Sequence, residues 1–329
     1  MKKLIFGLAI VLILFSCRQS NKEKDLKPRD NLSWIRFEWA GDSISGRYYE
    51  KLAILIPFKI GGIPHDFKSQ FDLGAVATCI NGNSFKPYMS LYPEINEKLD
   101  TLNKHYMLQG KNYAAFKGID FWLGTVPFSN RELVYFEGQG DTFTVDSVKS
   151  KTIKHIGTIG ADLFQNKTLI IDYPNQRIAI VDSLPRDYYE NTEFVACKLE
   201  KGRIKVPFKI NNEVHYLMFD TGSSIFSLLT TKINWMMLCN TNTKVDTLRV
   251  NAWGEHYDVY GAPITADVCI GSYKMPSNFG YATPRSDFGQ WCQEEGILGL
   301  TGNAYFWNDM IAIDFKDKRF GIIRIGKKK

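Results

Sequence analysis

Metal-ligand patterns are missing from this 329-residue chain. It has no CxxC and no HExxH, and its five histidines are scattered, so no metal site and no cofactor are expected. Long apolar runs are missing too. The uncharged stretch Leu4–Phe15 has twelve residues, too few to cross a bilayer as a helix. A strong charge of one sign is also lacking. The formal net charge is +6, and Lys2, Lys3 and Lys327 to Lys329 supply most of it. The remaining body is close to neutral, which gives nucleic acid no foothold. Long amphipathic helical stretches are scarce; the best helix candidates are Leu91 to His105 and a short turn near Asp162 to Asn166. What is present is a globular composition, 44% hydrophobic and 14% aromatic, with a mainly β texture. Short runs rich in Ile, Val, Phe and Tyr alternate with Gly, Asn, Asp and Pro.

The first residues read as a targeting signal. Met1-Lys2-Lys3 precedes the apolar run, which closes on Leu14-Phe15-Ser16-Cys17. That ending resembles the lipobox of bacterial lipoproteins, which implies a signal peptide over 1–16 and lipidation of Cys17. Polar residues to Asp30 read as a flexible tether, 17–30. Arg18 after the cysteine does not resemble the Asp-type inner-membrane retention signal, so an exported protein anchored to the outer membrane is expected, facing either the periplasm or the outside. With Cys17 lipidated, five cysteines remain, Cys79, Cys197, Cys239, Cys269 and Cys292. The odd number leaves at least one free thiol, and one pair among the last three is open.

The chain is written twice. Ile56-Pro57-Phe58-Lys59-Ile60 followed by Phe71-Asp72-Leu73-Gly74-Ala75 is answered by Val206-Pro207-Phe208-Lys209-Ile210 followed by Phe219-Asp220-Thr221-Gly222-Ser223-Ser224. Pro57 precedes Asp72 by 15 residues and Pro207 precedes Asp220 by 13, which fits hairpin turns of unequal length at Gly61-Gly62 and Asn211-Asn212. Gly110-Lys111-Asn112-Tyr113 is matched by Gly254-Glu255-His256-Tyr257. The segment from Ile156 to Gly160 is matched by Gly296-Ile297-Leu298-Gly299. Each copy closes on strand, turn and strand, Leu169 to Val181 and Ile311 to Ile323. Asp172 and Asp314 recur there as turn formers. A polar stretch at Leu184 to Glu193 divides the copies, giving an N-terminal lobe 31–188 that opens on a strand within Asn31 to Ala40, and a C-terminal lobe 189–329.

Around Asp220 an apolar strand ends in an acid, a small hydroxyl and a glycine. The glycine permits the tight turn, and neighbouring hydroxyls and N–H groups can hold the carboxylate plane. Two such loops on related halves can meet face to face. Two touching carboxylates then share one proton, one serving as general base to a water and the other as general acid to a carbonyl oxygen.

The motif Asp220-Thr221-Gly222-Ser223, with the later Gly296-Ile297-Leu298-Gly299, resembles the aspartic-protease family of pepsin and the retropepsins over roughly Ile54 to Ile325. The resemblance implies a bilobal pepsin-like acid-protease fold, two related β-barrel-like lobes with the active-site cleft between them. It implies Asp72 and Asp220 as catalytic residues, with Gly74, Ala75, Thr221, Gly222, Ser223 and Ser224 in support, and a monomer that takes polypeptide in extended conformation. It also implies a flap hairpin from the first lobe carrying an aromatic residue, for which Tyr113 is the candidate. The first copy departs from the family at Leu73, which stands where the family has Thr or Ser. The cross-brace between the loops would then be one-sided, and a peptide-binding lipoprotein with a weak or inactive dyad is the alternative expectation.

Overall fold

A computed structural model describes residues 32–324 except 109, 244, 253 and 254. The leader 1–16, Cys17, the tether and the terminal lysines lie outside the described residues. The fold is mainly β, as expected, with three large sheets. Two of them repeat one strand order. In the first half Arg47–Ile60, Phe67–Phe71, Lys154–Ile159, Cys79–Asn81, Val126–Phe136 and Ala115–Leu123 lie side by side. In the second half Arg203–Ile210, Glu213–Phe219, Gly299–Thr301, Leu228–Thr231, Phe279–Thr283 and Glu255–Pro263 do the same. The polarities agree as well. Phe67–Phe71 runs parallel to Lys154–Ile159, and Glu213–Phe219 runs parallel to Gly299–Thr301.

Period-2 alternation builds the opening hairpin of each half. Ile54, Ile56, Phe58 and Ile60 are buried in one, and Ile204, Val206, Phe208 and Ile210 in the other. In the second half Ile210 faces Glu213, so Asn211 and Asn212 form the whole turn. Both have positive φ, 48° and 71°, the conformation that matches strand twist in two-residue hairpins. The first half needs a longer connection, from Gly61 to Asp66, which accounts for the unequal spacing before the two aspartates.

The third sheet is shared. Its order is Trp34–Arg36, Arg177–Val181, Thr168–Asp172, Met310–Asp314, Arg319–Ile323 and Thr192–Ala196. The closing hairpins of the two copies meet there with Ile170 opposite Ala312, Leu169 opposite Ile313 and Ile171 opposite Ile311. Asp172 and Asp314 hold equivalent places in the repeat, so Ile170 and Ala312 do too, and a local two-fold axis passes between them. Both aspartates act in their turns as expected. Asp172 accepts from Asn175 N–H at 3.2 Å and pairs with Arg177 at 2.7 Å. Asp314 accepts from Asp317 N–H at 2.9 Å and pairs with Arg319 at 2.6 Å. The largest hydrophobic cluster lies beneath this sheet and takes residues from both halves, Phe71, Phe164, Phe219 and Phe306 among them. Phe71 meets Phe164 edge-on at 5.8 Å, and Phe219 meets Phe306 in the same way at 5.6 Å.

Helix placement differs from expectation. Leu91 to His105 is not a helix. Gly82–Leu91 is, followed by a 3-10 turn Pro93–Lys98 and a short strand Leu99–Asp100. Gly82–Leu91 carries Pro87 inside it, a residue that disfavours helix locally. Burial of Phe85 and Tyr88 against Phe67 overrides that preference. The turn near Asp162 is a 3-10 segment, Ala161–Phe164. All five described cysteines are free thiols, so the open pairing in the second half does not occur.

Candidate active site

Each candidate aspartate stands one residue past a central strand. Asp72 N–H donates to the Ile159 carbonyl at 3.0 Å, and Asp220 N–H donates to the Thr301 carbonyl at 2.9 Å. The chain then turns back sharply. Ala75 N–H reaches the Asp72 carbonyl at 3.2 Å, and Ser223 N–H reaches the Asp220 carbonyl at 3.1 Å. Within each turn the carboxylate accepts from the glycine two residues on, Gly74 to Asp72 and Gly222 to Asp220, both at 2.9 Å. Ala75 N–H adds a bond to Asp72 at 3.2 Å.

The two loops are in contact through their glycines. A Cβ on Gly74 would stand 2.4 Å from the Asp220 carboxyl carbon, and a Cβ on Gly222 would stand 2.6 Å from that of Asp72. Only a residue without a side chain lets each carboxyl group lie over the opposite loop. Asp72 is buried. Burial first, then the charge of Asp220, then a hydrogen bond to Asp220, hold its acid group well above the ordinary carboxylate range. The two carboxyl groups therefore titrate as a pair, and the Asp220 side is supported differently. Its Oδ2 accepts from the Ser223 hydroxyl at 2.7 Å, where the first loop has Ala75 and no hydroxyl.

The brace is one-sided, as expected. The Thr221 hydroxyl accepts from Leu73 N–H at 2.8 Å and donates to the Phe71 carbonyl at 2.9 Å. Leu73 sends its side chain into the shared core, fully buried. Ser224 does not touch either carboxylate; its hydroxyl donates to the Lys51 carbonyl at 2.7 Å.

Sequence reasoning missed the support behind the second loop. Asn303, fully buried, donates to the Thr221 carbonyl at 2.9 Å and to Ser224 Oγ at 3.0 Å, while its own oxygen accepts from Tyr173 OH at 2.7 Å. Tyr173 belongs to the first copy, so this chain of bonds crosses between halves. In the first half Ala161 stands at the place of Asn303, and the support is different chemistry: Thr78 accepts from Gly160 N–H at 3.1 Å and donates to Asp162 at 2.8 Å. The glycine landmark shifts by three residues. By strand register Gly299 matches Gly157 and Gly302 matches Gly160, whereas Gly296 caps the helix Ser286–Glu295 with φ +63°. A Cβ on Gly157 would strike the Cys79 carbonyl at 2.1 Å, and one on Gly299 would strike the Leu229 carbonyl at 2.2 Å.

A cleft of about 610 Å³ opens over the two aspartates. The hairpin that reaches it is not the expected one. Tyr106–Leu108 and Lys111–Tyr113 do form a hairpin, but its arms are three residues long. The Tyr113 ring is buried against Phe136 at 4.9 Å, in a side cluster with Cys79 and Val134, and Tyr113 does not line the cleft. The matching hairpin of the second half, Asp246–Ala252 with Glu255–Pro263, is longer and brings Val250, Asn251 and Tyr257 to the cleft wall. The charge of Asp220 is among the influences that raise the Tyr257 phenol, after burial and against Arg285, which lowers it. The chain matches no family model and no curated protein.

Proposed function

We propose that the protein is an aspartic endopeptidase with a pepsin-like bilobal fold, cutting extended polypeptides with a water held between Asp72 and Asp220. One observation carries this reading: each carboxyl group lies over the other loop's glycine, close enough for the Asp220 charge to raise the buried Asp72 acid group. In the reaction Asp220 takes a proton from the water as its oxygen attacks the peptide carbonyl carbon. Asp72 gives its proton to the carbonyl oxygen. The resulting diol collapses as Asp220 gives its proton to the amide nitrogen, the C–N bond breaks and a diol hydroxyl returns a proton to Asp72. No redox change is involved, and the pair ends with the one proton it began with.

The N-terminal signal supports a location outside the cytoplasm, on a lipid carried by Cys17 at the outer membrane, facing either the periplasm or the outside. Among the described residues no helix is long and apolar enough to cross a membrane. The deciding experiment is digestion of an unfolded protein by the full chain at mildly acidic pH, with Asp72→Asn and Asp220→Asn beside it. Cleavage lost in both variants is the expected result; cleavage that survives in both excludes the dyad. A peptide-binding protein without turnover is the second reading, favoured by the missing hydroxyl at Leu73. It predicts peptide binding with no cleavage by the unaltered chain.

A further inference from the structure

The two-fold relation makes residues of the cleft comparable in pairs. On parallel neighbouring strands Gln70 lies beside Thr158, and Met218 lies beside Leu300. Gln70 and Met218 each stand two residues ahead of an aspartate, so the two pairs are the same positions in the two copies. All four residues line the cleft. One pair is hydrogen-bonding and the other is apolar. Beyond these pairs, Asn81, Gln139 and His155 extend the first wall, whereas Phe226, Leu229, Val250 and Trp291 extend the second, with Arg203, Asn251 and Tyr257 further along it. His155 Nε2 is buried with no hydrogen-bond partner among the described residues. Met218, Phe226, Leu229, Val250 and Leu300 belong to one hydrophobic cluster.

A scissile bond centred over the aspartates sits near the axis that relates the two walls. Successive side chains of an extended strand point to opposite sides. The residues before and after the bond therefore fall against equivalent positions of opposite walls. We propose, resting on the hydrolase reading above, that the preferred substrate bond joins a residue with a neutral hydrogen-bonding side chain to one with a large apolar side chain. The first rests on Gln70 and Thr158, the second on Met218 and Leu300. An apolar residue against the first wall gives no partner to the half-buried Gln70 amide and leaves the buried His155 Nε2 unpaired, the kind of mismatch that binding sites reject strongly. The order of the two residues along the substrate is fixed, because the cleft has one direction.

The test is cleavage-site profiling of an unfolded proteome digest with the full chain in detergent. Bonds joining a polar to an apolar residue, always in one order, should be cut at least tenfold more efficiently than apolar–apolar bonds. Gln70→Leu should narrow that preference to less than threefold, and Thr158→Val, which keeps the side-chain shape, should act in the same direction if Gln70→Leu does not fold. Equal cutting of apolar–apolar bonds, or a preference unchanged in the folded variants, overturns the proposal. If nothing is cut, the hydrolase reading fails and the walls are judged by binding. Fluorescent peptides of the two kinds should then differ at least tenfold in Kd, and equal affinities overturn the assignment.

Discussion

Leu73 gives its backbone N–H to the Thr221 hydroxyl at 2.8 Å while its side chain is fully buried in the core shared by both halves. The residue that lacks the bracing hydroxyl thus serves as a packing anchor beneath the acid pair. Leu73→Thr is expected to cost about 2–4 kcal/mol in denaturant unfolding, as for other large-to-small core changes, and to leave kcat no higher than before. Thr221→Val removes the brace that does exist. It strands the buried Leu73 N–H and the Phe71 carbonyl, and a loss of about 1–3 kcal/mol for each unpaired group is expected, with kcat falling as the loops separate.

Asp72 gives the protein a distinctive pH response. Its acid group is held well above the ordinary value of 3.8 by burial and by Asp220. Below that value both folded and unfolded chains hold the proton, and the group contributes no difference. Above it the unfolded chain releases the proton while the folded chain keeps it, so stability falls as pH rises, by up to about 1.4 kcal/mol per pH unit. The fall stops once the folded pair also gives up the proton. Asp72→Asn should abolish this slope in thermal melts taken across the acid-to-neutral range, with a higher Tm than the unaltered chain at neutral pH. If the proposed hydrolysis holds, activity of the unaltered chain should decline as pH rises past the raised value, because the pair then has no proton to donate.

Tyr257 and Tyr113 offer a paired comparison. Tyr257→Ala should raise KM several-fold, since Tyr257 lines the cleft. Tyr113→Phe should leave KM and kcat unchanged, since the ring is packed against Phe136. A KM that responds to Tyr113 and not to Tyr257 would restore the covering role to the first half.

The four fully shielded thiols make a chemical check on the core. Cys79, Cys197, Cys239 and Cys292 are buried, and Cys269 is partly exposed. Burial pushes the Cys79 and Cys197 thiols up to about 12, which keeps them in the unreactive form. A thiol reagent should modify Cys269 in the native protein and the other four only after unfolding. A reductant should leave Tm unchanged.

The duplication was legible because backbone geometry imposes it on the residues. Alternating Ile, Val and Phe mark the same buried face in both opening hairpins, whereas the sequence sets the glycine landmark three residues out of register: Gly157 and Gly299 are the true match, each at a place where an added Cβ would stand 2.1 or 2.2 Å from a carbonyl oxygen. The two aspartates could be paired by the same logic. Which hairpin reaches the cleft could not be read, because Tyr113 and Tyr257 occupy the same motif and only the length of the flanking strands separates them. Asn303 gave no signal either. Its importance comes from Tyr173, 130 residues earlier in the chain, and no local pattern records such a meeting. The helix at Gly82–Leu91 was hidden by Pro87, whose local preference yields to the packing of Phe85 and Tyr88.

The sheet common to both copies sets a timetable for the nascent chain. Thr168–Asp172 pairs early with Arg177–Val181 but finds its second neighbour only when Met310–Asp314 has been made, and Asp72 meets Asp220 across a comparable gap in the sequence. Pairings so distant are slow to form. The acid pair is thus unassembled through most of synthesis, and a chain halted before residue 310 carries both aspartates without the seam that holds them together.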